Sequence, residues 1–165
     1  NPKLNREGIK EKHQHILDES LPLVKEQLDL LKTLFRGHLE VMQSGDYDII
    51  YMEGENGGRY QVIADQQGIE LVMLDIANPY FGLFPEAHQE HEVMSRKEDF
   101  WLEKIKTTGK PLLLLGYEHA NNKSGLVDKF SKLGITIDII QDATDSGERY
   151  KALHNQVMTI KERYA

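Results

Sequence analysis

Between Asn5 and about Ser44, apolar residues recur every three or four positions, through Ile9, Ile16, Leu17, Leu23, Val24, Leu28, Leu31, Leu34, Phe35, Leu39 and Met42. That is the period of an amphipathic helix. Pro22 lacks the amide hydrogen that an interior helical turn needs, so the pattern predicts two helices or one kinked helix. Ser20 is placed to cap the second, with Pro22 in its first turn, and Gly45-Asp46 ends the segment.

The pattern then changes to alternating short apolar runs and helical stretches. Tyr47 to Met52 is rich in β-forming residues, ends at Glu53 and enters the loop Gly54-Glu55-Asn56-Gly57-Gly58. Arg59 to Gln67 reads as a helix closed by Gly68, and Ile69 to Leu74 as a strand ending at Asp75. Pro85 to Thr107 is helical in pattern, with a break predicted near Ser95. Pro111 to Leu115 is an unbroken apolar run, which predicts a central strand buried on both faces, and it leads into Gly116-Tyr117-Glu118-His119. A helix from about Ser124 to Leu133, a fourth strand over Ile135 to Ile140 and a last helix from Ser146 to about Tyr164 complete the order.

Strands alternating with helices, with connections too long for hairpins, predict right-handed crossovers. The expected fold is therefore a three-layer α/β domain: a mainly parallel sheet of about four strands with helices on both faces. One domain covering residues 1–165 suits the length. The chain opens without methionine and passes directly into a helix, as expected of a piece truncated at its N-terminus.

Composition narrows the function. The formal net charge is -7, and the 27 acidic residues are spread along the chain, which opposes binding to nucleic-acid phosphates. Cysteine is absent, so disulfides, thiolate zinc sites and cysteine nucleophiles are excluded. No apolar run approaches the roughly 20 residues of a membrane span, and the absence of a leader favours a cytoplasmic location. Small-molecule or peptide ligands remain as partners, with the oligomeric state open.

In a parallel sheet, ligands bind beyond the carboxyl ends of the strands. Three predicted strands in a row end in ionisable groups: Glu53 with Glu55, then Asp75, then Glu118 with His119, which Tyr117 precedes. Asp75 reads equally well as a turn or capping residue. His119 follows an apolar strand and Gly116, and suits a base, a metal ligand or a structural donor. Glu86 to Glu92 holds a second cluster in which helical spacing puts His88 beside His91 as a weaker metal pair, although the simpler reading is a solvated acidic helix. The glycine loop after Glu53 has neither phosphate-binding spacing, so no nucleotide cofactor is expected, and Ser124 sits in no nucleophile elbow.

Four stretches, taken in order, resemble the TraB/Tiki superfamily, which also takes in ChaN-like haem-binding proteins and, more remotely, erythromycin esterases. They are Asp48 to Glu53 followed by Arg59-Tyr60; Ala64 to Ile69 through Leu74-Asp75-Ile76; Arg96 to Trp101 with Ile105; and Leu112 to Gly116, His119, Gly125-Leu126 and Gly134-Ile135. The family's N-terminal strand ending in Gly-x-x-His has no counterpart before the first helices. The resemblance implies that Glu53, Arg59, Arg96 and His119 surround a pocket, beside which the strand-end residues Asp75, Glu55, Glu118 and Tyr117 are candidate ligand-binding neighbours. It implies metal-assisted or general-base hydrolysis of an amide or ester, in which Glu53 and His119 hold a divalent Mn, Zn or Co ion or activate water, and arginine steadies the oxyanion. Two other outcomes stay open: a haem- or metal-binding module without turnover, and an interaction scaffold with a degenerate site.

Overall fold

The computed structural model describes residues 2–121, 124–138, 140 and 146–165, with side chains from residue 6 onward and without that of Tyr117. Its elements are α1 (Pro2–Gln43), β1 (Ile49–Met52), α2 (Arg59–Gln67), β2 (Glu70–Met73), α3 (Glu90–Lys104), β3 (Pro111–Leu114), α4 (Tyr117–Ala120), α5 (Leu126–Lys132) and α6 (Ser146–Arg163). They fall into two compact units, Asn1–His38 with Gln141–Ala165, and Leu39–Ile140. No described helix is long and apolar enough to cross a membrane.

In the first unit, α1 runs through Pro22 as a single helix. Proline removes the amide that would bond the Asp18 carbonyl, but both residues are exposed, so water can satisfy that oxygen. Ser20 does not cap a second helix; its hydroxyl donates back to the Ile16 carbonyl at 2.5 Å. Polar contacts tie α6 back along α1: Arg149 grips Glu26 through two nitrogens at 2.8 and 3.0 Å, Arg163 reaches Glu19 at 2.9 Å, and the rings of His15 and Tyr164 stack. The buried face of α6 is Leu153, Val157 and Ile160, at the helical spacing of four and three.

The second unit holds the sheet, which has three described parallel strands in the order β2-β1-β3. Ile50 pairs with Leu71 on one side and Leu112 on the other. This corrects two expectations. β1 is central, whereas the wholly apolar β3 stands at the edge of the described sheet. The proposed fourth strand does not form over residues 135–138 or at Ile140, while Ile139 lies outside the described residues. Ile135 and Ile137 instead pack as loop residues against the core. α3 is also one helix with no break at Ser95, whose carbonyl and hydroxyl both accept from Lys129.

Side chains alternate across a strand, so neighbouring residues serve opposite faces. Ile49, Tyr51, Val72 and Leu113 meet Trp101, Leu126 and Phe130 from α3 and α5. Ile50, Leu71, Leu112 and Leu114 meet Met42 at the end of α1 together with Tyr60, Ile63 and Ala64 of α2. The class is mixed α/β, dominated by helix, around a small parallel sheet.

Candidate functional site

The carboxyl ends of the parallel strands bring Glu53, Asp75 and His119 to one edge of the sheet. The ladder extends one residue past β1, where the Glu53 amide donates to the Leu114 carbonyl at 3.0 Å. β2 ends likewise, with the Leu74 amide on the Met52 carbonyl at 2.8 Å and the Asp75 amide on the Gly54 carbonyl at 3.0 Å. Gly54 makes that turn with a φ of 109°, a conformation open to glycine.

Asp75 is fully buried, and its oxygens are well supplied. Oδ1 accepts from the Trp101 indole at 2.7 Å and from the Asn78 amide at 3.0 Å, while Oδ2 accepts from the Gly54 backbone at 2.6 Å. Lys97 Nζ lies 3.7 Å from Oδ2 and 2.9 Å from Glu53 Oε1, so one ammonium serves both carboxylates. Glu53 Oε2 accepts from the Gly116 amide at 2.7 Å. A Cβ at Gly116 would lie 2.9 Å from that oxygen, so any larger residue here would have to displace the Glu53 carboxylate.

His119 sits on α4 and is buried, its ring tilted against Trp101 with centroids 4.6 Å apart. Nδ1 lies 2.8 Å from Glu98 Oε2. A carboxylate accepts only, so this contact puts a proton on Nδ1; in the neutral ring the lone pair is then on Nε2. Nε2 is 3.5 Å from Glu53 Oε1, beyond hydrogen-bond length. Ser124 also donates to Glu98 Oε2. Among the described residues Glu98 Oε1 is buried without a hydrogen-bond partner, and Lys129 Nζ, 3.7 Å away, offsets the charge.

A cavity of about 620 Å³ opens over this group. Its floor is Glu53, Lys97, Gly116 and His119; one wall is apolar, with Leu83, Phe84, Pro85, Val93 and Met94; Glu90 and Glu118 add negative charge. Phe84 is 97% exposed, so this wall borders open solvent.

The other sequence candidates lie elsewhere. Arg96 is exposed on the outer face of α3, paired with Glu92 at 2.6 Å; its guanidinium is held further above its ordinary range by hydrogen bonding to Tyr80 and by Glu92. Arg59 is exposed at the start of α2, and Glu55 in the loop before it. The Tyr117 side chain lies outside the described residues. His88 is exposed beside Glu86 at 3.5 Å, and His91 is exposed on the first turn of α3.

Three participants went unassigned in the sequence: Lys97, Glu98 and Lys129. The signal was present on α3. Trp101 and Ile105 mark its inward face, and Glu98 and Lys97 precede Trp101 by three and four positions, which places both on that face.

Comparison with family models, curated proteins and solved structures returned no match.

The donor set does not suit a divalent ion. Among the described residues, no group of three His, Cys, Asp or Glu side chains is placed to hold a metal. Glu53 and His119 supply only two donors, and Lys97 already brings positive charge to Glu53 at 2.9 Å. A supported imidazole nitrogen, a neighbouring carboxylate and an ammonium can instead handle protons and developing negative charge.

Proposed function

We propose that this chain is a hydrolase-like domain of the TraB/Tiki/ChaN type that cleaves a small ester or amide by general-base catalysis at His119. The observation that carries this reading is the buried Glu98–His119 contact at 2.8 Å, which engages Nδ1 of a histidine that lines the cavity. His119 Nε2 takes a proton from water, whose oxygen attacks the substrate carbonyl carbon. Glu53 Oε1, 3.5 Å from Nε2, can reach the same water and orient it. Lys97, at the cavity floor, stabilises the oxyanion that forms, the role the family resemblance assigns to arginine. The leaving oxygen or nitrogen departs with the proton that His119 returns.

The apolar wall and the acidic residues beside it select the substrate. An apolar acyl group fits against Leu83, Phe84, Val93 and Met94, and a neutral or cationic leaving group fits beside Glu90 and Glu118. An anionic substrate meets unfavourable charge there.

The test is turnover of p-nitrophenyl acyl esters and anilides by the wild type and by His119→Gln, after exhaustive chelation. Hydrolysis in the wild type and a loss of roughly 10²–10⁴-fold in kcat for the variant are expected, the usual contribution of a positioned base. Equal rates in the two proteins overturn the reading. Glu53 has partners at both oxygens already, which favours a second reading, a binding module without turnover. Saturable ligand binding with no hydrolysis would select it.

A further inference from the structure

α1 carries two apolar stripes, and its partner α6 leaves one of them open. Ile16, Ser20, Leu23, Gln27, Leu30 and Leu34 form the better-buried stripe. The second, Leu17, Leu21, Val24, Leu28 and Leu31, is exposed throughout, and Leu28 is 52% accessible. Its spacing of four, three, four and three is that of coiled-coil core positions, and the half-buried Phe35, which has contacts of its own, follows at the same period. A run of bulky aliphatics at this period is what helices bury against other helices.

The charges beside the stripe indicate what covers it. Asp18, Lys25 and Lys32 follow the core positions at intervals of seven, along the edge away from Ser20 and Gln27. When two copies of the stripe are antiparallel about a centre near residue 26, Leu17 meets Phe35, Leu21 meets Leu31 and Val24 meets Leu28 in every layer. In that register, Asp18 of each copy faces Lys32 of the other, twice by symmetry. Only Lys25 meets its like, and Asp29, one turn along the same helix, offsets that repulsion. A parallel pairing sets Ser20 and Gln27 opposite Lys25 and Lys32, with no opposite charges. We infer that the open stripe of α1 is a self-complementary surface that binds a second copy of this chain in antiparallel fashion, making a four-helix bundle of two α1–α6 pairs.

Sedimentation equilibrium of the whole chain tests this directly: twice the 19.0 kDa chain mass is expected. Leu21→Glu with Leu28→Glu is expected to halve the mass at unchanged far-ultraviolet circular dichroism. Because the chain has no cysteine, single-cysteine variants report the orientation even if the charged variant misfolds. A short bismaleimide should join Lys25→Cys chains into dimers. It should leave Leu17→Cys chains monomeric, since the two copies of Leu17 lie about 27 Å apart along an antiparallel pair. A monomer at the highest soluble concentration, or efficient joining through position 17 rather than 25, overturns the inference.

Discussion

At the scale of single residues, the site is a series of buried charges, each answered by a neighbour. Asp75 accepts three hydrogen bonds while fully buried, so Asp75→Ala strands three donors. Urea unfolding should show a loss of roughly 3–5 kcal/mol, as for removing one partner from a buried charged network; a loss within experimental error would mean that Asp75 is not structural. Gly116→Ala tests the close approach to Glu53. The new methyl group has to move a carboxylate oxygen 2.9 Å away, so hydrolysis should fall at least tenfold while the fold is retained, as misplacement at a catalytic site predicts. Metal titration bears on the same residues. With Glu53 already paired to Lys97, adding Mn²⁺, Zn²⁺ or Co²⁺ should leave the melting temperature unchanged, whereas stabilisation of about 2.7 kcal/mol at a hundred times the dissociation constant would establish a metal site.

At the scale of elements, the sequence placed α2, β1, β2 and β3 within two residues of where they lie, and it placed Glu53, Asp75 and His119 at strand ends. Hydrophobic period and glycine punctuation carry that information locally. Ser95 and Ser20 misled because a serine that donates back into its helix, or accepts from a distant lysine, looks in one dimension like a capping residue. Residues 135–138 misled because Ile135 and Ile137 place their side chains against the core from a loop, and an apolar alternation of that kind looks in one dimension like a strand. Glu98 was missed because a charged residue on an inward face reads as an interruption of the pattern, although that interruption marks the site. Between α1 and α6, the Arg149 hydrogen bond holds the Glu26 carboxyl below its ordinary 4.5. The lowered value means that the folded state binds fewer protons than the unfolded chain. The contribution is therefore complete above pH 4.5 and fades as the pH falls through the folded value. Protection factors of the α6 amides, with exchange referred to the intrinsic rate at each pH, should fall across that acid range, less so in high salt, and Glu26→Gln should remove that part of the pH dependence.

At the scale of the whole molecule, the small parallel sheet brings three sequence-distant ionisable groups to one edge, and a helix packed on one face supplies the charges that make the histidine usable. Lys97, Glu98 and Trp101 all come from α3, so one helix orients His119, neutralises Glu53 and holds Asp75. Everything in the proposed chemistry depends on which nitrogen of His119 carries its proton. Nitrogen-15 NMR of the imidazole in uniformly labelled protein reads this directly. Nδ1 is expected to be protonated towards Glu98 and Nε2 to be bare, with the Nδ1 proton signal shifted in Glu98→Gln. A ring protonated at Nε2, with or without a proton at Nδ1, would contradict the account, because Nε2 would then have no lone pair to take a proton from water.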